Sequence, residues 1–167
     1  MDLQQVKQAI LSWSENFLEM PHAALGNWSP CPYARRARLN HQVDVRLGTD
    51  PYFDLKALCA QGLGSAQVVI FAYDPAVHLR EQFADKLAAA NQNFLLAADL
   101  IVLEDHPDDP EIVNGVCMNQ GTYALAMCQS VSDLNDKARM MANKGFYHSW
   151  PEEYLQQLFE NRQDPRT

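Results

Sequence analysis

The chain has 167 residues, enough for one domain with a sizeable core. Hydrophobic residues make up 47% and charged residues 20%, a globular composition that excludes a disordered chain. Thirteen Lys and Arg against 21 Asp and Glu give a net charge of −8. That excludes a general binder of nucleic-acid backbones, which displaces counterions with net positive surface.

No apolar stretch approaches the length that spans a bilayer. The opening Met1-Asp2-Leu3-Gln4-Gln5-Val6 has neither the basic nor the apolar region of a secretory signal. The expectation is a cytoplasmic protein with free thiols at Cys31, Cys59, Cys117 and Cys128, none of which forms a C-x-x-C pair. There is no phosphate-binding P-loop, dinucleotide fingerprint, G-x-S-x-G or H-E-x-x-H motif, so no motif implies a cofactor.

In chain order, the first helix starts at Asp2, with Leu3, Val6, Ile10, Trp13 and Phe17 forming one apolar stripe that Pro21 ends. The stretch from Pro21 to Asn40, with Pro21, Gly26, Pro30 and Pro32, reads as a long ordered loop or broken helix. Alternation at Val43, Val45 and Leu47 predicts a half-buried strand. Phe53, Leu55, Leu58 and Cys59 follow as a helix closed by Gly62 or Gly64. Gln67 to Tyr73 is nearly all apolar, as expected of a central strand.

Asp74-Pro75 has the form of a helix start, with Leu79, Phe83, Leu87, Ala90 and Phe94 as its stripe. Strands are expected at Leu100 to Leu103 and near Thr122 to Cys128. Ser130 or Ser132 opens another helix, stopped at Gly145, and Ser149-Trp150-Pro151-Glu152 has capping-box spacing for the last one. Gln163 to Thr167 reads as a frayed tail. These elements define an α+β fold: a mixed sheet of about four strands covered by helices, with helical N- and C-terminal ends. One domain is expected, with a helical start at 2–20, a site loop at 21–41, an α/β core at 42–130 and C-terminal helices at 131–162.

Three segments carry candidate chemistry. In Pro30-Cys31-Pro32-Tyr33, flanking prolines hold a cysteine close in sequence to Arg35, Arg36 and Arg38. Nearby cations favour a thiolate, and the same arginines can grip a carboxylate or phosphate; the alternative is a proline-bracketed turn around a structural thiol. Glu104-Asp105-His106-Pro107-Asp108-Asp109 follows a strand end, where ligand sites of α/β sheets gather. His106 there can serve as a general acid or base, or with Asp105 or Asp108 as a divalent-metal ligand; the alternative is an acidic turn. Asn119, Gln120 and Tyr123 can line a pocket, or belong to a hairpin whose amides satisfy the backbone.

Pro30-Cys31-Pro32-Tyr33-Ala34, His106-Pro107, Asp108-Asp109-Pro110 and Asn119-Gln120-Gly121-Thr122-Tyr123 occur in the order of an uncharacterised bacterial domain-of-unknown-function family, which the chain resembles loosely from Trp13 to about Gln129. Members of that family carry a Leu-Cys-Pro-Phe-Ala loop and later His-Pro, Asp-Asp-Pro and Asn…Tyr blocks. Here Pro30 replaces the leucine, Tyr33 the phenylalanine, and Gln120 stands where the family has arginine. The resemblance implies that Cys31, His106, Asn119 and Tyr123 belong to one site. The leading expectation is a small enzyme acting on a small anionic metabolite, with a Cys31 thiol and a His106 acid or base in one pocket, and with Arg35, Arg36, Tyr33, Asn119, Gln120 and Tyr123 binding substrate. The alternatives are a metal-dependent enzyme using His106, Asp105 and Asp108, with iron or zinc, and an acidic module that binds a partner protein.

Overall fold

The computed structural model describes residues 1–167. Helix α1 covers Leu3–Trp13, and the Asp2 carboxylate accepts the Gln5 backbone N–H at 2.9 Å, as an N-cap does. It widens into a π turn over Ser14–Leu18 before Pro21. Only Val6 and Ile10 of its stripe are fully buried; Leu3, at the free end, is exposed. A 3-10 turn at Ala23–Leu25 and a short helix α2 at Ala34–Leu39 occupy the stretch that reads as a broken helix.

Strand β1 is Val43–Leu47. Helix α3, Pro51–Gln61, is capped by Asp50, which takes the Tyr52 and Phe53 N–H groups, and it ends at Gly62 with φ 76°. Strand β2 is Val68–Tyr73. The next helix, α4, does not begin at Asp74-Pro75 but at Arg80, and runs to Ala90. Asp74 instead closes an isolated turn, taking the Val77 and His78 N–H groups on its carbonyl and the Ala76 N–H on its carboxylate. Leu79 is extended, with ψ 146°, which separates that turn from α4, and the His78 carbonyl before it accepts from the His106 ring at 3.0 Å.

Strand β3 is Leu100–Asp105, a short hairpin joins β4 (Ile112–Val113) to β5 (Val116–Cys117), and β6 is Ala124–Ser130. Asn114 and Gly115 turn that hairpin with φ 50° and 81°, the signs a two-residue hairpin turn requires. Helix α5, Val131–Ala142, is capped by Ser130; a 3-10 turn at Phe146–Ser149 and helix α6, Glu152–Leu158, complete the chain. The Ser149 capping box does not form: Pro151 is the cap position of α6 and makes no side-chain cap bond. In the tail, Arg166 bonds both Glu152 and Asp164. No helix is long and apolar enough to cross a membrane.

The fold is α+β, with a four-stranded mixed sheet in the order β1-β2-β6-β3. β1 and β2 are parallel, and β6 runs antiparallel to both its neighbours. Val69, Phe71 and Tyr73 of β2 and Ala124, Ala126 and Cys128 of β6 point into one core under α3 and α4. The alternate residues Ile70, Ala72 and Leu125 point to the other face, where Val6 and Ile10 of α1 pack. A third cluster, with Leu25, Val113, Met141, Phe146, Trp150 and Phe159, forms a C-terminal lobe.

Gly48, just after β1, lies under the Tyr73 ring. A Cβ there would stand 2.0 Å from Tyr73 Cε1. The ring cannot swing aside freely, because the Tyr73 hydroxyl donates to Asp54 at 3.1 Å and Asp54 also accepts the Thr49 and Asp50 N–H groups. Gly48→Ala is therefore expected to lower unfolding free energy by about 1–3 kcal/mol, measured by chemical denaturation.

Candidate functional site

Two concavities meet at the C-terminal lobe. The first is an apolar cavity of about 290 Å³ between the α1 face of the sheet, the Pro30–Ala34 loop and the C-terminal helices. Val43, Val68, Ile70, Leu103 and Met127 form its sheet wall. The parity of the strands sends these residues to the face that α1 only partly covers. Trp13 closes one side and Trp150 another, and the Nε1–H of each is buried without an acceptor. The charged residues on the wall are Lys137 and Arg162, and no Asp, Glu or His lines it.

Cys31 lies on this wall. Its loop is tied down at both ends: the Cys31 N–H donates to the Leu18 carbonyl, and its own carbonyl accepts from Ala34, each at 3.1 Å. Burial of the sulfur pushes the thiol pKa up; the Tyr33 and Ala34 backbone amides and the Lys137 ammonium act against that more weakly. Cys31 is therefore a neutral thiol at neutral pH. Tyr33 also lines the cavity, with the Lys137 ammonium 5.2 Å from its ring centroid. Arg35 and Arg36 point to solvent on the outer side of α2 and line neither concavity. Arg38 is engaged elsewhere, in a two-pronged pair with Glu19 at 2.7 and 2.9 Å.

The second concavity is a polar recess of about 360 Å³ at the end of β3, lined by Glu104, Asp105, His106, Asp109, Glu111 and Asn119 among others. His106 is only 1% exposed. Its Nδ1 accepts the Asp108 backbone N–H at 3.1 Å, so Nε2 carries the proton and donates to the His78 carbonyl. Neither nitrogen has a lone pair to offer a metal or a substrate. Asp105 is 5% exposed and holds Asn119 Nδ2 and the Gln120 N–H at 2.9 and 2.8 Å. Asn119 reaches on to the His106 and Asp109 carbonyls and accepts the Glu111 N–H at 2.6 Å. Gln120 spends its side-chain oxygen on the Thr122 and Tyr123 N–H groups. Tyr123 packs against the α1 core, and Asp108 is exposed. No three His, Cys, Asp or Glu side chains converge to hold a metal ion.

Cys31 and His106, expected in one pocket, line different concavities. Cys31 lies on the α1 side of the sheet, whereas the His106 ring packs against Phe83, in the core beneath α3 and α4. Of the expected set, the structure groups Cys31 with Tyr33, and His106 with Asp105 and Asn119. Trp150, Lys137 and Arg162 had no place in the site read from sequence; Trp150 and Arg162 lie outside the helices, and Lys137 on α5 looks like any residue of an amphipathic surface. Comparison with known proteins gives no matching family model, curated protein or solved structure.

Cys117 is exposed, Cys31 half-buried, and Cys128 fully buried with its pKa pushed up to about 12. Alkylation resolved by mass spectrometry is expected to label Cys117 first, Cys31 well behind it and Cys128 last. Burial also raises the carboxyl pKa of Glu104, Asp105 and Glu111. Folding then favours their protonated forms, so this contribution is complete below about pH 4 and is lost as pH rises through the folded-state values. Glu19, Asp50 and Asp164 are held low by Arg38, Lys86 and Arg166, and their contribution is lost on acidification through those lowered values. Calorimetric Tm should peak at mildly acidic pH, and Glu104→Gln with Glu111→Gln should flatten its decline toward neutrality.

Proposed function

We propose that the chain binds a small, largely apolar molecule in the cavity between the sheet and the C-terminal lobe. The observation that carries this reading is the cavity itself, about 290 Å³ between the sheet and the C-terminal lobe, walled almost entirely by apolar side chains such as Val43, Val68, Ile70 and Met127. A mainly apolar wall with few polar groups is also the usual character of a small-molecule site. A bound molecule would lie beside Cys31. A nucleophilic role for that thiol needs a base, and no histidine or carboxylate lines this cavity. Binding is therefore the function the geometry supports best.

The test is titration with four probes, naphthalene-2-carboxylate, naphthalene-2-methanol, decanoate and decanol, read by tryptophan fluorescence and thermal shift. At a hundredfold excess over its Kd, a one-to-one ligand adds about 2.7 kcal/mol and raises Tm by roughly 5–10 °C. Val68→Phe or Leu134→Phe, each filling the cavity from a different wall, should abolish saturable binding while the far-UV circular dichroism is kept. Absence of saturable binding by all four probes to the folded protein overturns the reading.

A further inference from the structure

Resting on that reading, we propose that the occupant is a hydrophobic monocarboxylic acid whose carboxylate lies at the corner formed by Arg162, Lys137 and Tyr147. The first support is charge. In a chain of net charge −8, this cavity has two cations on its wall and no carboxylate. Lys137 already has a counter-ion, Asp133 at 2.6 Å, and bonds Gln67 as well. Arg162 has none. Its guanidinium meets only neutral oxygens, Asn135 Oδ1 at 3.3 Å and the Leu134 carbonyl at 3.1 Å. A part-buried guanidinium without an anion is poorly compensated, and a carboxylate accepts its planar fork of donors in two places.

The second support is the division of the wall. Arg162 lies beside the Tyr147 hydroxyl, which also feels the more weakly acting Asp164. The wall therefore offers positive charge and a hydroxyl at one end, and apolar surface along Val43, Val68, Ile70 and Met127. A cavity of about 290 Å³ suits a bicyclic aromatic acid or a medium-chain fatty acid better than a lipid with two chains.

The acid–alcohol pairs separate this inference from the reading beneath it. Naphthalene-2-carboxylate should bind at least about tenfold more tightly than naphthalene-2-methanol, and decanoate than decanol. Arg162→Gln should weaken the acids about 10- to 100-fold and leave the alcohols within about threefold. Arg162 also bonds the end of the α5 first turn, so Tyr147→Phe and Arg162→Lys serve as second variants, each expected to weaken the acids selectively. Equal affinities of acid and alcohol, with all three variants neutral, overturn the carboxylate assignment and leave cavity binding standing. Failure of both acids and both alcohols to bind overturns both.

Discussion

A sheet that is apolar on both faces has to be covered twice, and most of this architecture answers that demand. β2 and β6 are interior strands whose side chains are buried in both directions. One face is covered by α3 and α4 along β2, β6 and β3. The other receives only α1, whose fully buried contribution is Val6 and Ile10. The remainder of that face, toward Val68, Leu103 and Met127, is roofed by helices that come after the last strand. A roof built from a separate cluster around Phe146, Trp150 and Phe159 does not settle flush on the strands. The cavity is the space left between two cores that are each satisfied internally, which is how a chain of this size can hold a void without losing its packing.

The polar end of the molecule follows a different rule. Residues whose types suggest catalysis are consumed by backbone groups that the irregular chain leaves over. His106 substitutes for a turn partner at Asp108 and for a helical partner at His78. Asp105 and Asn119 together close the loop between β3 and β6. Buried acids and a buried histidine are costly to desolvate, and here their lone pairs are committed to holding the chain. Tyr154 stands where the two regions touch, lining both concavities and donating to Glu111.

What sequence conveyed was local. The four strands of the main sheet, the Asp2 cap, and the choice of Ser130 or Ser132 and of Gly62 or Gly64 as helix ends were legible because alternation, capping and left-handed turns are set by neighbouring residues. The α4 start was misread at Asp74-Pro75 because Leu79 is extended where the local pattern asks for a helix, and the segment before it is tied to His106, 28 positions from His78. The candidate site suffered from the same limit. Cys31 and His106 line different concavities, and where each side chain ends up depends on the placement of β6 between β2 and β3, which no spacing encodes. Arg162 carries no visible mark in the sequence, since its distinction is the absence of a carboxylate around it in space.

The edge at β3 has a consequence for assembly. Val102 would ordinarily present a free N–H and C=O outward, but the Asn91 amide takes both, at 2.8 and 3.0 Å, in the manner of one more strand residue. A fibril grows by adding strands at two open edges, each new chain offering a fresh template to the next. With β3 sealed at its centre, this sheet has at most the β1 side to offer. Edge-to-edge stacking of native molecules therefore terminates at a pair, and polymerisation through the sheet requires α4 and its π turn to peel away first.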